Sequence, residues 1–191
     1  MDFAPVTLEG RHIRLEPLSL AHVAGLCAVG FDDSIWRWNP RPPVRTHSGM
    51  QRYVESALAA RDASLTLPFA TLDPQTGRPI GSTRFHGPDH ESRHIEIGYT
   101  WLAPAWQRTA ANTEAKLLML QHAFEVWGCI RVELKTDSRN AILRLGAKEE
   151  GTFRNHGITH SGRIRHSVFF SIPDREWPTV EANLKAKLER A

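Results

Sequence analysis

The residues best suited to chemistry lie in one stretch, IEIGYTWLAPAWQRTAANTEAKLLMLQHAFEVW, from Ile95 to Trp127. Its first part, Ile95–Leu102, is rich in β-branched and aromatic side chains and predicts a strand. Pro104 breaks that strand. Asn112 and Thr113 are good helix caps, and Glu114 then brings negative charge to the first helical turn, where the helix dipole favours it. Leu117, Leu120, Phe124 and Trp127 follow at helical spacing, Leu118 widens the stripe, and Gly128 ends it. The segment Trp106–Asn112 therefore presents backbone N–H groups at a helix N-terminus, where amides hold anions, phosphates above all. That geometry alone is generic, because most such junctions bind nothing.

Other reactive residues add less. Phe31–Val44 carries Trp36, Trp38 and three prolines; rigid aromatic residues of this kind either fill a core or wall a substrate cleft. Cys27 and Cys129 sit in apolar surroundings with no CxxC spacing, which fits reduced thiols in a cytoplasmic protein. The 10 histidines are scattered; His86, His90 and His94 cluster near one loop without helical HxxxH spacing, so no metal is expected. The start, MDFAPVTLEG, lacks the basic and apolar regions of a signal peptide, and no apolar run approaches a membrane span. A net charge of +3 is too small to argue for nucleic acid, though it suits an anionic cofactor. A chain of 191 residues suits one domain, 1–191, with a core that needs no disulfide.

The elements that would position the anion site read as follows. Val6–Pro17 predicts a bent strand or hairpin. Ser19 caps a helix over Leu20–Val29, and Thr46 caps another over Ser48–Arg61. Leu65–Leu72, Pro79–Phe85 and Arg93–Leu102 predict antiparallel strands, separated by the turn signals of Asp73–Gly77 and Gly87–Ser92. After the long helix come a strand over Ile130–Thr136, a short helix over Ala141–Leu145, and strands over Lys148–Phe153 and Ile164–Ile172. A terminal amphipathic helix carries Trp177, Val180, Leu184 and Leu188. The order implies an α/β (α+β) protein with a mixed sheet and helices on both faces.

The string Gln107-Arg108-Thr109-Ala110-Ala111-Asn112, within the longer WQRTAANTEAKLL, resembles the acyl-CoA motif of the GNAT-type N-acetyltransferases in the glycine-poor form of the RimJ/RimL-like branch. Gly81–Phe85, Val132–Asp137, Leu145–Gly151 and the Gly162, Arg165, Ser167 close extend the resemblance over nearly the whole chain. It implies the GNAT fold, with a mostly antiparallel mixed sheet and an extra C-terminal helix, and acetyl-CoA as co-substrate. The acceptor it implies is a primary amine, either a protein N-terminus, such as that of a ribosomal protein, or a small molecule. A non-catalytic acyl-CoA sensor is the rival reading, and a homodimer stays open.

The same resemblance implies roles. Gln107, Arg108, Thr109, Ala110, Ala111, Asn112 and Thr113 would hold the pyrophosphate, and Asn140 the pantetheine. A backbone N–H near Trp101 or Leu102 would meet the oxyanion. Glu96 is the first candidate base and His156 the second. Trp36 and Trp38, with Arg84 from the Gly81–Phe85 motif, would border the acceptor. The branch continues past Thr136-Asp137 with a full helix and a serine that protonates the leaving thiolate; here the helix is under two turns and that serine has no counterpart. Chain missing between Asn140 and Ala141 is the favoured explanation, a genuine deletion the other. Tyr53 and Tyr99, both upstream, leave the acid's role vacant.

Overall fold

A computed structural model describes residues 1–37, 39–136 and 140–190, with the backbone alone for 140 and 141. Among the described residues, eight strands form one sheet. They are β1 (Leu8–Glu9), β2 (Arg14–Pro17), β3 (Thr66–Leu72), β4 (Pro79–Asp89), β5 (His94–Leu102), β6 (Arg131–Thr136), β7 (Lys148–Ile158) and β8 (Ile164–Pro173). Six α-helices accompany them: α1 (Val23–Gly30), α2 (Asp33–Trp36), α3 (His47–Asp62), α4 (Ala110–Gln121), α5 (Asn140–Leu143) and α6 (Trp177–Leu188). The spatial order is β1-β2-β3-β4-β5-β6-β8-β7, and every pair is antiparallel except β5 with β6. A parallel pair needs a crossover, and α4 supplies it.

The alternation of a strand sorts two cores. Phe69, Phe85, Ile97, Val132 and Phe170 pack with Leu117, Leu120 and Leu184 of α4 and α6. On the other face, Ala70 and Trp101 pack with Leu26, Met50 and Val54 of α1 and α3. Strand β3 is buried along its whole length because helices cover both its faces.

Most predicted elements stand close to their expected places. Val6–Pro17 is the hairpin β1–β2, and Thr46 caps α3 by accepting the Gly49 N–H at 3.0 Å. Two departures bear on the site. The helix after β5 begins at Ala110, capped by Thr109 and not by Asn112 or Thr113. Thr109 wins because its hydroxyl accepts the Ala111 N–H at 3.2 Å and donates to the Trp106 carbonyl at 2.8 Å, closing both ends of the turn. The helix also widens into a π turn over His122–Val126 before Gly128, at φ 64, ends it.

Candidate active site

The site is an opening in the sheet. Strands β5 and β6 share three paired positions, His94 with Arg131, Ile95 with Val132 and Glu96 with Glu133, and then part. Just beyond, Arg84 pairs with Gly98 but Ser82 with Trp101, so β5 carries one extra residue. Tyr99 takes up the excess in the left-handed region, at φ 53. A bulge of this kind bends its strand and ends the pairing. The cleft that results measures about 480 Å³. Residues 97–100 of β5 and 134–136 of β6 form its two lips, α4 contributes Asn112 and Lys116, and the loop after α2 contributes residues 39–41.

At the end of β5 the chain turns into α4 through a short 3₁₀ turn, Pro104–Trp106. Gln107 ties this turn down: its N–H donates to the Pro104 carbonyl at 3.2 Å and its side-chain amide to the Leu102 carbonyl at 3.0 Å. Arg108 then adopts φ 61, which swings the next amides outward. The amides of Arg108 and Thr109 have no partner among the described residues, and those of Ala110 and Asn112 are open by the geometry of a helix start. This fan is narrower than the predicted Gln107–Thr113. The Gln107 amide is spent on Pro104, the Ala111 amide on Thr109, and Thr113 lies far enough inside α4 to bond within the helix. Arg108 is exposed and left-handed, so Arg108→Gly should raise unfolding free energy by ~1 kcal/mol, measured by denaturant titration.

A contact far along the chain anchors the helix start. The Glu114 carboxylate accepts the N–H groups of Arg11 at 3.0 Å, His12 at 2.6 Å and Ile13 at 2.8 Å, in the turn between β1 and β2. A Cβ on Gly10 would run into that carboxylate, so any larger residue there would push Glu114 off its three donors. Glu114 thus lies in the second turn of α4, where its partners are these amides and not the helix dipole.

Glu96 lies at the last rung of the parallel ladder and lines the cleft. Its carboxylate meets His86 Nε2 at 3.3 Å and Lys135 Nζ at 3.1 Å. Burial pushes this carboxyl up, but the hydrogen bond and charge of His86, joined by Lys135, outweigh burial and hold it below the ordinary 4.5. Lys116 was not foreseen. It is 4% exposed, and its Nζ donates to Thr100 Oγ1 at 2.7 Å and Thr83 Oγ1 at 3.3 Å. Desolvation pushes its pKa from 10.5 down to about 7. The helical spacing held a signal for it, since Lys116 is four residues before Leu120 and shares that buried face. Tyr99, set aside as upstream, lines the cleft too.

Several expected residues stand elsewhere. Trp36 is 2% exposed, donates to the Gly30 carbonyl at 2.8 Å and packs on Tyr53 and Trp101, so it is core and not a substrate wall. Trp101 is also core. Its carbonyl faces Gly81 on β4, and since the Ala103 N–H reaches Ile80 on the same strand, alternation turns the Trp101 amide away from the cleft. Leu102, one residue on, directs its peptide to the open side, where Gln107 meets it. His156 does not line the cleft: it faces a separate open depression on the β7–β8 hairpin and bonds Ser167 Oγ at 2.9 Å. His86 and Glu96 are brought together instead, and His94 pairs with Asp89 at 3.3 Å. Trp38 and the side chain of Asn140 lie outside the described residues.

Comparison with known proteins agrees with this architecture. A model described as "Acetyltransferase (GNAT) domain" matches residues 12–144. A protein of T. thermophilus assigned as an acetyltransferase is similar at 35% identity and a TM-score of 0.87, over 98% of this chain and 100% of that one. A GCN5-related N-acetyltransferase from Brucella melitensis is similar at 31% identity and a TM-score of 0.86, over 96% of this chain and 85% of that one. Mycobacterium smegmatis RimJ, solved with CoA-disulfide, shares the fold at 19% identity and a TM-score of 0.80, over 96% and 93% of the two chains. No curated protein matches the chain. No helix among the described residues is long and apolar enough to cross a membrane. With its domain model covering more than two thirds of the sequence, the chain belongs to the GNAT acetyltransferase family, and it is an N-acetyltransferase.

Proposed function

We propose that the protein, acting as one domain in the cytoplasm, moves the acetyl group of acetyl-CoA to a primary amine. The observation that carries this reading is the opening of the β5–β6 ladder beside the free amides of Arg108, Thr109, Ala110 and Asn112. The residues present fit the co-substrate. The amide fan suits a diphosphate. Asn112 Oδ1 is buried in the cleft wall without a partner, and an amide N–H of the pantetheine arm would satisfy it. The two free cysteines, Cys27 and Cys129, suit a reducing compartment.

Acetyl-CoA supplies an activated acyl group with a thiol leaving group. The chain's own residues must hold that group, accept a proton from the amine and return one to sulfur. Glu96, held charged by His86 and Lys135, accepts the amine proton through a water. The Leu102 amide, directed to the same open side of β5 as the Leu102 carbonyl, would meet the developing negative charge. Lys116 donates to the thiolate; an ammonium of pKa about 7 gives its proton readily to a thiolate whose acid has a pKa of ~8.5. Lys116 in the acid's role would also weigh against a non-catalytic acyl-CoA sensor, which requires that role to be vacant.

The test is thiol release from acetyl-CoA with a panel of primary amines. Glu96→Gln should lower kcat about 100-fold while acetyl-CoA affinity stays near that of the parent. Binding of acetyl-CoA with no thiol release on any amine would overturn the assignment.

A further inference from the structure

We infer that the acceptor is a small amine that also carries a carboxylate, bound by Arg41 and Arg84 at the ring of Tyr99. The inference rests on the transferase reading above and deepens it. Among the described residues lining the cleft, Arg41, Lys116, Lys135 and Arg165 are cationic and Glu96 is the single carboxylate. Glu96 is already engaged by Lys135 and His86. A basic peptide would therefore meet a wall of its own sign, which disfavours it.

The cations concentrate at the bulge. The Arg41 guanidinium lies 4.8 Å from the Tyr99 ring centre and donates from Nη2 to the Tyr99 hydroxyl at 3.3 Å. The Arg84 guanidinium lies 4.2 Å from the same ring and 5.4 Å from that of Tyr53. Arg84 is 3% exposed, and its Nε and Nη2 are buried without a partner. No carboxylate faces either arginine among the described residues. Across the cleft, Arg165 Nε is likewise buried and unpartnered. A buried guanidinium without an anion is costly, and aromatic faces offset only part of that cost. A carboxylate would complete the cluster through the paired geometry that arginine favours.

Size follows from the loops. The His160 N–H donates to the Pro40 carbonyl at 3.0 Å, which ties the loop between β7 and β8 to the cleft-lining loop after α2. The bond holds that loop in place beside the cleft, which favours a compact acceptor. The nucleotide's phosphates are a different demand, met beyond the end of β5 by the amide fan and not at the bulge.

Calorimetry on the full chain saturated with CoA tests the inference, using N-acetyl-leucine and N-acetyl-leucinamide as product-like probes. The carboxylate probe should bind about tenfold more tightly than the amide, and Arg41→Gln should reduce that ratio several-fold, with Arg84 retaining the remainder. Equal affinities in the parent chain, or a preference unchanged by Arg41→Gln, would overturn it. So would a loss of CoA affinity in Arg41→Gln matching the loss for N-acetyl-leucine, since that assigns the arginines to the nucleotide. Thiol release with leucine and leucinamide is read separately. Carboxylate-selective binding with no turnover of any amine in the panel would refute the transferase reading and leave the carboxylate site standing.

Discussion

Lys116→Met should make the protein more stable and slower in one step. The wild-type ammonium is 4% exposed, has two threonine hydroxyls as partners and faces no carboxylate among the described residues. Its pKa is depressed, so the folded chain holds this proton less tightly than the unfolded chain does. The full cost of burying the charge therefore applies below the folded value of about 7. As pH rises towards 10.5 the folded amine is neutral while the unfolded one is still charged, and the cost fades. At ~1.4 kcal/mol per tenfold change in proton affinity, the cost is bounded at roughly 5 kcal/mol, and the threonine hydrogen bonds recover part of it. Methionine fills similar space with no charge. The variant should gain roughly 2–3 kcal/mol near pH 6 and little near pH 10, read from urea midpoints. Turnover should fall about 100-fold, as expected for a lost proton donor. A stability difference equal at both pH values would show that Lys116 does not titrate as argued. A chain that keeps a costly buried cation in its cleft has traded stability for function.

Glu114→Ala should be the most damaging single change outside the cores. Three amides from the β1–β2 turn converge on one carboxylate that is 6% exposed. Removing it strands those donors and opens a void, for a loss of ~4 kcal/mol. Glu114→Gln sharpens the argument. The glutamine is nearly the same size, but its NH₂ cannot accept from an N–H, so about half of that loss should remain. Both variants should also bind acetyl-CoA more weakly, because α4 loses the tether that fixes its first turns. Chemical denaturation of the two variants checks the order, and a glutamine variant as stable as the parent would refute it.

The contrast between these two residues shows what the linear chain disclosed. Caps and periods act over a few residues, so Thr46 and the hairpin at Val6–Pro17 stood where local rules put them. The 106–118 string implies the fold that the structure shows, and Glu96, the first candidate base, lines the cleft. Glu114 was read from its own helix, yet its partners lie 101–103 residues away. Three cap-type residues, Thr109, Asn112 and Thr113, compete for one helix start, and the Trp106 carbonyl that decides it belongs to the 3₁₀ turn just before it, whose shape cap preferences do not encode. Tyr99 is in the cleft because a bulge rotates it there, and no propensity marks a tyrosine for the left-handed region. His156 is named by family position alone, which carries no information on how a hairpin orients its side chains; here that histidine lines a separate depression on the β7–β8 hairpin.

The brief β5–β6 ladder has one further consequence. It divides the sheet into five strands on one flank and three on the other, joined there by three rungs. A molecule lying in the gap touches both flanks and adds its own binding energy to their cohesion, growing with the logarithm of its concentration. Metabolic supply would then govern how firmly the two flanks adhere, and the starved protein would be the looser one.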